Sequence, residues 1–142
     1  MNVLVTGGAG YIGSHTAVEL IQAGYETIIV DDLSNAKEDV IDRIETITGK
    51  RPVFYQEDCK DKEALRKIFS AHKIDAIIHF AGIYMLDSLV EMSTEAYDRI
   101  FDINVRGAFI VNKTFLPLLK QGSRIIITTS ELAPLDPLPF TG

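Results

Sequence analysis

Three glycines and one acid carry the strongest chemical signal in this sequence. Gly7, Gly10 and Gly13 recur at intervals of three, between the apolar run Val3-Leu4-Val5-Thr6 and an amphipathic stretch. That placement suits a strand turning into a helix. Gly7 permits the tight turn, Gly10 lets the backbone approach a pyrophosphate, and Gly13 lets helix and strand pack closely. The free N–H groups of the helix start then hold phosphates, with the helix dipole favouring negative charge. Asp31 follows 18 residues after Gly13, at the end of the next apolar run. A carboxylate there can accept hydrogen bonds from a ribose diol. It would repel a 2′-phosphate, and no arginine lies close after it, so the pattern favours NAD over NADP.

Other reactive side chains give weaker signals. His15, His72 and His79 have no second His, Cys or acid at ligand spacing on one helix face, so no metal site is expected. His79 closes an apolar run and is expected to be packed and hydrogen-bonded. Cys59 is the only cysteine. It cannot form an internal disulfide, and no base is identifiable beside it, so it reads as a small packed side chain. Lys60-Asp61-Lys62-Glu63 reads as a solvated helix start.

Composition sets the frame for these residues. The chain has 142 residues, 46% hydrophobic and 24% charged, which fits one globular domain and excludes a disordered tail or a coiled coil. The net charge of −6 disfavours a nucleic-acid partner. No apolar run reaches the length of roughly 18 residues that a membrane span needs. The first residues carry no positive leader or signal-peptide core. With a single cysteine, the expected setting is the reducing cytoplasm.

Short β-branched runs alternate with amphipathic stretches. Strands are expected at residues 3–6, 27–31, 53–55, 75–80 and 124–129. Helices are expected from the glycine loop to about residue 23, over 40–47, from 62 to about 72, and as one long element over 94–121. Asn35 and Glu38 offer a capping box for the second helix, and Asp61 a cap for the third. Pro117 is expected to kink the fourth. The order β-α-β-α-β-α-β-α-β, with nearly continuous apolar strands, predicts a doubly wound parallel α/β sheet of Rossmann type. Residues 130–142 contain Pro134, Pro137 and Pro139 and read as a loop. An ending so soon after a strand predicts an incomplete domain, truncated after the fifth strand.

These residues resemble the short-chain dehydrogenase/reductase superfamily. Residues 1–82 resemble the N-terminal part of its UDP-galactose 4-epimerase branch, through Met1 to Thr16, Asp31-Asp32-Leu33-Ser34-Asn35 and His72 to Gly82. The resemblance implies NAD, with the Tyr11 and Ile12 backbone at the pyrophosphate. It places Asp31 and Asn35 near the adenosine ribose, and Asp58 and Cys59 beside the adenine. Phe80, Ala81 and Gly82 would lie along the cofactor towards its nicotinamide half.

After Gly82 the resemblance shifts. That branch carries a lysine where Tyr84 stands. The stretches Tyr97 to Phe109 and Gly122 to Ser130 are more similar to the compact oxidoreductase branch. There the motif asparagine, here Asn104, helps organise a proton relay, and the motif serine, here Ser130, hydrogen-bonds the reacting oxygen. An alternative for Asn104 is an ordinary amide inside a helix. A divergent natural enzyme, a chimera and a chain cut from a longer one all fit this mosaic.

The superfamily uses a tyrosine with a lysine four residues on. Here Tyr11, Tyr25, Tyr55, Tyr84 and Tyr97 are followed at that distance by His15, Ile29, Cys59, Ser88 and Phe101. The expectation is therefore an NAD-binding module that is inactive by itself. The alternative is a working nucleotide-sugar epimerase or alcohol dehydrogenase completed by a partner chain. The apolar fifth strand and the long apolar fourth helix, with Ile100, Phe101, Ile103, Phe109, Ile110, Phe115 and Leu116, predict a homo-oligomer.

Overall fold

A computed structural model describes residues 1–85, 88 and 90–128. Its elements follow the expected alternation. β1 (Asn2–Thr6) leads to α1 (Tyr11–Gln22), β2 (Glu26–Val30) to α2 (Asp39–Thr48), β3 (Val53–Tyr55) to α3 (Lys62–Ala71), and then β4 (Ala76–His79). A continuous helical run follows, made of α4 (Thr94–Phe101), a π-helical turn (Asp102–Gly107), α5 (Ala108–Phe115) and a 3-10 turn (Leu116–Leu118). β5 (Arg124–Ile127) completes the described chain. All pairings are parallel, and the sheet order is β3-β2-β1-β4-β5.

Alternation along the strands explains the layering. Leu4, Ile28, Val30 and Ile77 face Leu65, Ile68 and Phe69 of α3 and Ile110, Val111 and Phe115 of α5. On the other face, Ile29 packs with Ala17 and Ile21 of α1 and Ile41 and Ile44 of α2. Val3, Val5, Ala76 and Ile78 form a second cluster with Leu20 at its edge. Both faces of the central strands are therefore covered, as their unbroken apolar runs require. Each fully buried large apolar side chain contributes about 1.5–3 kcal/mol.

Three local expectations need correction. The Asn35–Glu38 capping box does not form. Glu38 is itself helical and makes no side-chain cap. The first turn is closed by main-chain bonds instead, with the Val40 and Ile41 amides donating to the Lys37 and Glu38 carbonyls. The helical run ends at Leu118, short of residue 121, in a 3-10 turn around Pro117, which has no N–H to continue the ladder. Within that run Ile110 and Phe115 are core residues, so they add nothing to an exposed apolar face. By contrast Asp61 caps α3 as expected, accepting from the Glu63 and Ala64 amides at 2.8 and 3.0 Å.

His79 joins the sheet to α5. The Thr6 hydroxyl lies 3.3 Å from Nδ1, and Nε2 lies 2.8 Å from Asn112 Oδ1. An amide oxygen can only accept, so Nε2 carries the proton and Nδ1 accepts from Thr6. Burial pushes the His79 pKa down, opposed by the Asn112 bond. The neutral ring is thus the folded form. Above the unfolded value of about 6.5 both states are neutral, and the contribution to stability is complete. As pH falls through that value, the unfolded chain takes up a proton that the folded chain resists. Urea midpoints are expected to fall between about pH 7.5 and about pH 5.5, and less steeply in His79→Gln. Equal slopes for the two proteins would remove His79 as a cause.

Candidate functional site

The C-terminal ends of the central strands open into one cleft. It encloses about 750 Å³ of empty space, part of it open to solvent. Doubly wound sheets bind ligands at this edge, where the strand order reverses. Here the reversal falls between β1 and β4.

The glycine loop forms the floor. Gly7 has φ +67°, and its amide donates to the Val30 carbonyl at 2.9 Å. A Cβ on Gly7 would stand 2.5 Å from the Ala81 nitrogen, and one on Gly13 would stand 2.2 Å from the Gly7 oxygen. Neither position has room for a side chain. A Cβ on Gly10 would meet only the Gly7 oxygen, at 3.2 Å, and Gly10 itself lines the cleft. Gly10 is also the N-cap of α1 and supplies no side-chain cap. The amides of Tyr11, Ile12 and Gly13 therefore have no partner within the helix. The Tyr11 and Ile12 side chains are exposed, so what this turn offers an anion is main chain.

Asp31 stands at the end of β2 with only 8% of its surface exposed. Its Oδ2 accepts from the Ala9 amide at 3.0 Å and its Oδ1 from the Leu33 amide at 2.9 Å. Leu33 has φ +58°, a left-handed conformation costing a side-chain-bearing residue about 1–2 kcal/mol, and the Asp31 bond helps to hold it. Each carboxylate oxygen retains further acceptor capacity. Asp31 and Asn35 both line the cleft.

Beyond β3 stand Asp58, Cys59 and Lys60. Asp58 Oδ1 accepts from the Lys60 amide at 2.8 Å. Burial, and then the charges of Asp58, Asp31 and Asp32, push the Cys59 thiol up to about 12. It stays protonated at neutral pH, and the thiol is a poor nucleophile in that form. The Lys60 ammonium is hydrogen-bonded to Asp102 Oδ2. That bond raises the Lys60 pKa and holds the Asp102 carboxyl below its ordinary value.

The opposite wall is Phe80, Ala81, Gly82 and Ile83, which follow β4. Asn104, in the π-helical turn, grips this wall. Its Oδ1 accepts from the Ile83 amide and its Nδ2 donates to the Ile83 carbonyl, both at 2.8 Å. Asn104 is thus neither a free amide nor an isolated helix residue. It fixes the course of the chain after Gly82.

The structure brings Gly7, Gly10, Asp31, Asn35, Asp58, Cys59, Phe80, Ala81 and Gly82 into the lining of one cleft. Tyr11, Ile12 and Gly13 follow Gly10 at the start of α1 and are not among the lining residues, and Asn104 supports the cleft through Ile83. Ser130 lies outside the described residues. The sequence reading missed Lys60 and Asp102. Lys60 sits in a charge run that resembles any solvated helix start, and its partner is 42 residues away. His15, His72 and His79 each have a hydrogen-bonding partner, in the Tyr11 carbonyl, the Tyr55 hydroxyl and Asn112. Among the described residues no group of three His, Cys, Asp or Glu is arranged to hold a metal. No helix among them is long and apolar enough to cross a membrane.

Comparison with known proteins agrees with this geometry. The family model described as short chain dehydrogenase matches residues 1–141. The UDP-glucose 4-epimerase of Bacillus subtilis is 44% identical over 131 residues, covering 92% of this chain and 37% of that protein. The enzyme of the same name from Neisseria meningitidis serogroup C is 42% identical over 142 residues, covering 98% of this chain and 40% of that protein. Both matches run well past residue 82. The chain thus spans about two-fifths of the length of these relatives. Among solved structures, UDP-glucose 4-epimerase from Bifidobacterium longum in complex with NAD+ and UDP superposes with a TM-score of 0.82 at 34% identity. The Stenotrophomonas maltophila enzyme with bound NAD and formylated UDP-arabinopyranose superposes at 0.79 and 40%. Each covers 92% of this chain and is itself covered over 37%. On the extent of the family match and the identity to these relatives, this chain belongs to the short chain dehydrogenase family.

Proposed function

We propose that this chain binds NAD(H) in the cleft above β1, β2 and β4, as the nucleotide-binding part of an epimerase-like protein. The observation that carries this reading is the pairing of the bare glycine turn with a buried Asp31. The turn presents unpartnered amides, and Asp31 is tied to the same loop through Ala9. A dinucleotide fits that pair, with its pyrophosphate at the amides of Tyr11 and Ile12 and its ribose hydroxyls donating to Asp31. The relatives solved with NAD support it. In calorimetry, NAD is expected to bind at least about tenfold more tightly than NADP, because a 2′-phosphate would meet the buried Asp31 charge. Equal or tighter binding of NADP would remove Asp31 from the ribose.

The chemistry such a cofactor supplies is reversible hydride transfer at a sugar or alcohol carbon. Asn104 holds the Ile83 main chain and thereby the wall beside the reacting end. None of the five tyrosines has a lysine four residues on, so the proton of that reaction has no partner of the family type here. A positioned acid–base group contributes a factor of about 10² to 10⁴. The reading that follows is a cofactor-binding module without efficient turnover of its own. A working epimerase or dehydrogenase completed by a partner chain is the competing reading. Purified chain with NAD and UDP-glucose, or with a simple secondary alcohol, should leave the reduced-nicotinamide absorbance unchanged. Turnover at ordinary enzyme rates, abolished in Ser130→Ala, would overturn the module reading.

Self-association belongs to the same proposal. Tyr97, Phe101, Val105 and Phe109 recur every four residues along the helical run, each about half exposed, and β5 leaves Ile126 and Ile127 about half exposed. Burying this surface between two copies gives it an apolar environment. Light scattering at about tens of micromolar is expected to show a dimer or larger species, shifted towards monomer by Phe109→Glu. A strict monomer at that concentration would remove the idea. A cytoplasmic setting fits the lone, unreactive Cys59.

A further inference from the structure

The sheet order decides where each part of a bound dinucleotide must go. With the pyrophosphate at the turn after β1 and one ribose at Asp31 after β2, the base on that ribose continues outward over the end of β3, because β3 is the next strand on that side. The groups standing there are Asp58, Cys59 and Lys60, all lining the cleft. Asp58 has one oxygen bonded to the Lys60 amide. Its other oxygen lies 3.8 Å from the Lys60 ammonium, beyond hydrogen-bond range. The ammonium is engaged elsewhere, on Asp102 Oδ2. Asp102 is itself held in place, since its other oxygen lies 3.1 Å from Arg106 Nε, one turn along the same helix. Lys60 therefore has two acids within reach and is bonded to Asp102, which, unlike Asp58, is not among the residues that line the cleft.

We propose that Asp102 is a specificity-determining residue for the purine: by holding Lys60, it leaves a carboxylate oxygen of Asp58 free to accept from the exocyclic amine of adenine. This inference rests on the reading of the cleft as a dinucleotide site. A 6-oxopurine presents a carbonyl oxygen at that position, which the carboxylate repels. Without the Asp102 charge, the Lys60 ammonium turns to Asp58, covers its acceptor and becomes a donor at the same place. An ammonium there suits a 6-oxopurine better than a 6-aminopurine. The salt bridge is thus a device for choosing the base, and the stability it supplies as a part-exposed pair is small.

The probes are NAD and nicotinamide hypoxanthine dinucleotide, which differ only at the purine. Calorimetric titration of the unaltered chain is expected to favour NAD by about tenfold, the worth of one hydrogen bond to a charged acceptor. In Asp102→Asn the preference is expected to shrink to about threefold or less. In the double variant Lys60→Gln/Asp102→Asn, which removes the competing ammonium, it returns to about tenfold. That recovery distinguishes a choice between acids from simple damage to the helix. Lys60→Gln alone leaves α4 and the π-helical turn untouched and is expected to keep the preference for NAD. A full preference in Asp102→Asn, no recovery in the double variant, or no preference in the unaltered chain overturns this inference while leaving the NAD site standing. Failure of the unaltered chain to bind either dinucleotide overturns the site itself.

Discussion

Three lengths of backbone meet at Gly7 with no side chain between them, and the upper edge of the sheet depends on that contact. The turn after β1 donates to the end of β2 at the Val30 carbonyl. It passes so close to Ala81 after β4, and to Gly13 in α1, that a single carbon atom at Gly7 or Gly13 would collide with main chain. Packing this tight is available only to glycine, and Gly7 also holds a left-handed conformation that other residues adopt at a cost. The result is a helix start held against the sheet with its first amides unpartnered. Asp31 then closes the arrangement from the second strand, through the Ala9 amide.

The π-helical turn is the second organising feature. Helical residues two apart do not share a face, and here the two residues reach opposite walls of the cleft. Asp102 takes Lys60 beyond β3, and Asn104 takes Ile83 beyond β4. One turn thus ties together segments that no strand pairing joins. π-Helical turns are rare and often sit at functional sites, and this one lies against the cleft through Ile103 and Gly107.

Much of this was legible from the sequence, for local reasons. The strand cores, the glycine turn and the Asp61 cap each depend on residues within a few positions of one another, and pattern reading reaches that far. Asp31 was reached through its spacing of 18 residues from Gly13 at the end of an apolar run, although its bond to Ala9 spans 22 residues. The capping box failed because α2 starts at Asp39, which puts Glu38 and not Asn35 at its N-cap, and main-chain bonds close the first turn in its place. Residues 94–121 looked like one helix because apolar periodicity does not reveal an extra residue in a turn. It also could not distinguish Ile110 and Phe115, which pack against α3, from Phe109, which is exposed. Lys60 with Asp102, and Asn104 with Ile83, are contacts across 42 and 21 residues. They exist only once the sheet order is set.

The central claim is that one cleft, formed by the glycine turn and Asp31, holds NAD. A crystal structure of the chain grown with NAD tests it most directly. The account predicts pyrophosphate oxygens on the Tyr11 and Ile12 amides, ribose hydroxyls on Asp31, and the adenine between Asp31 and Asp58. A dinucleotide seated elsewhere, or in this cleft with its adenosine turned towards β4, would contradict it.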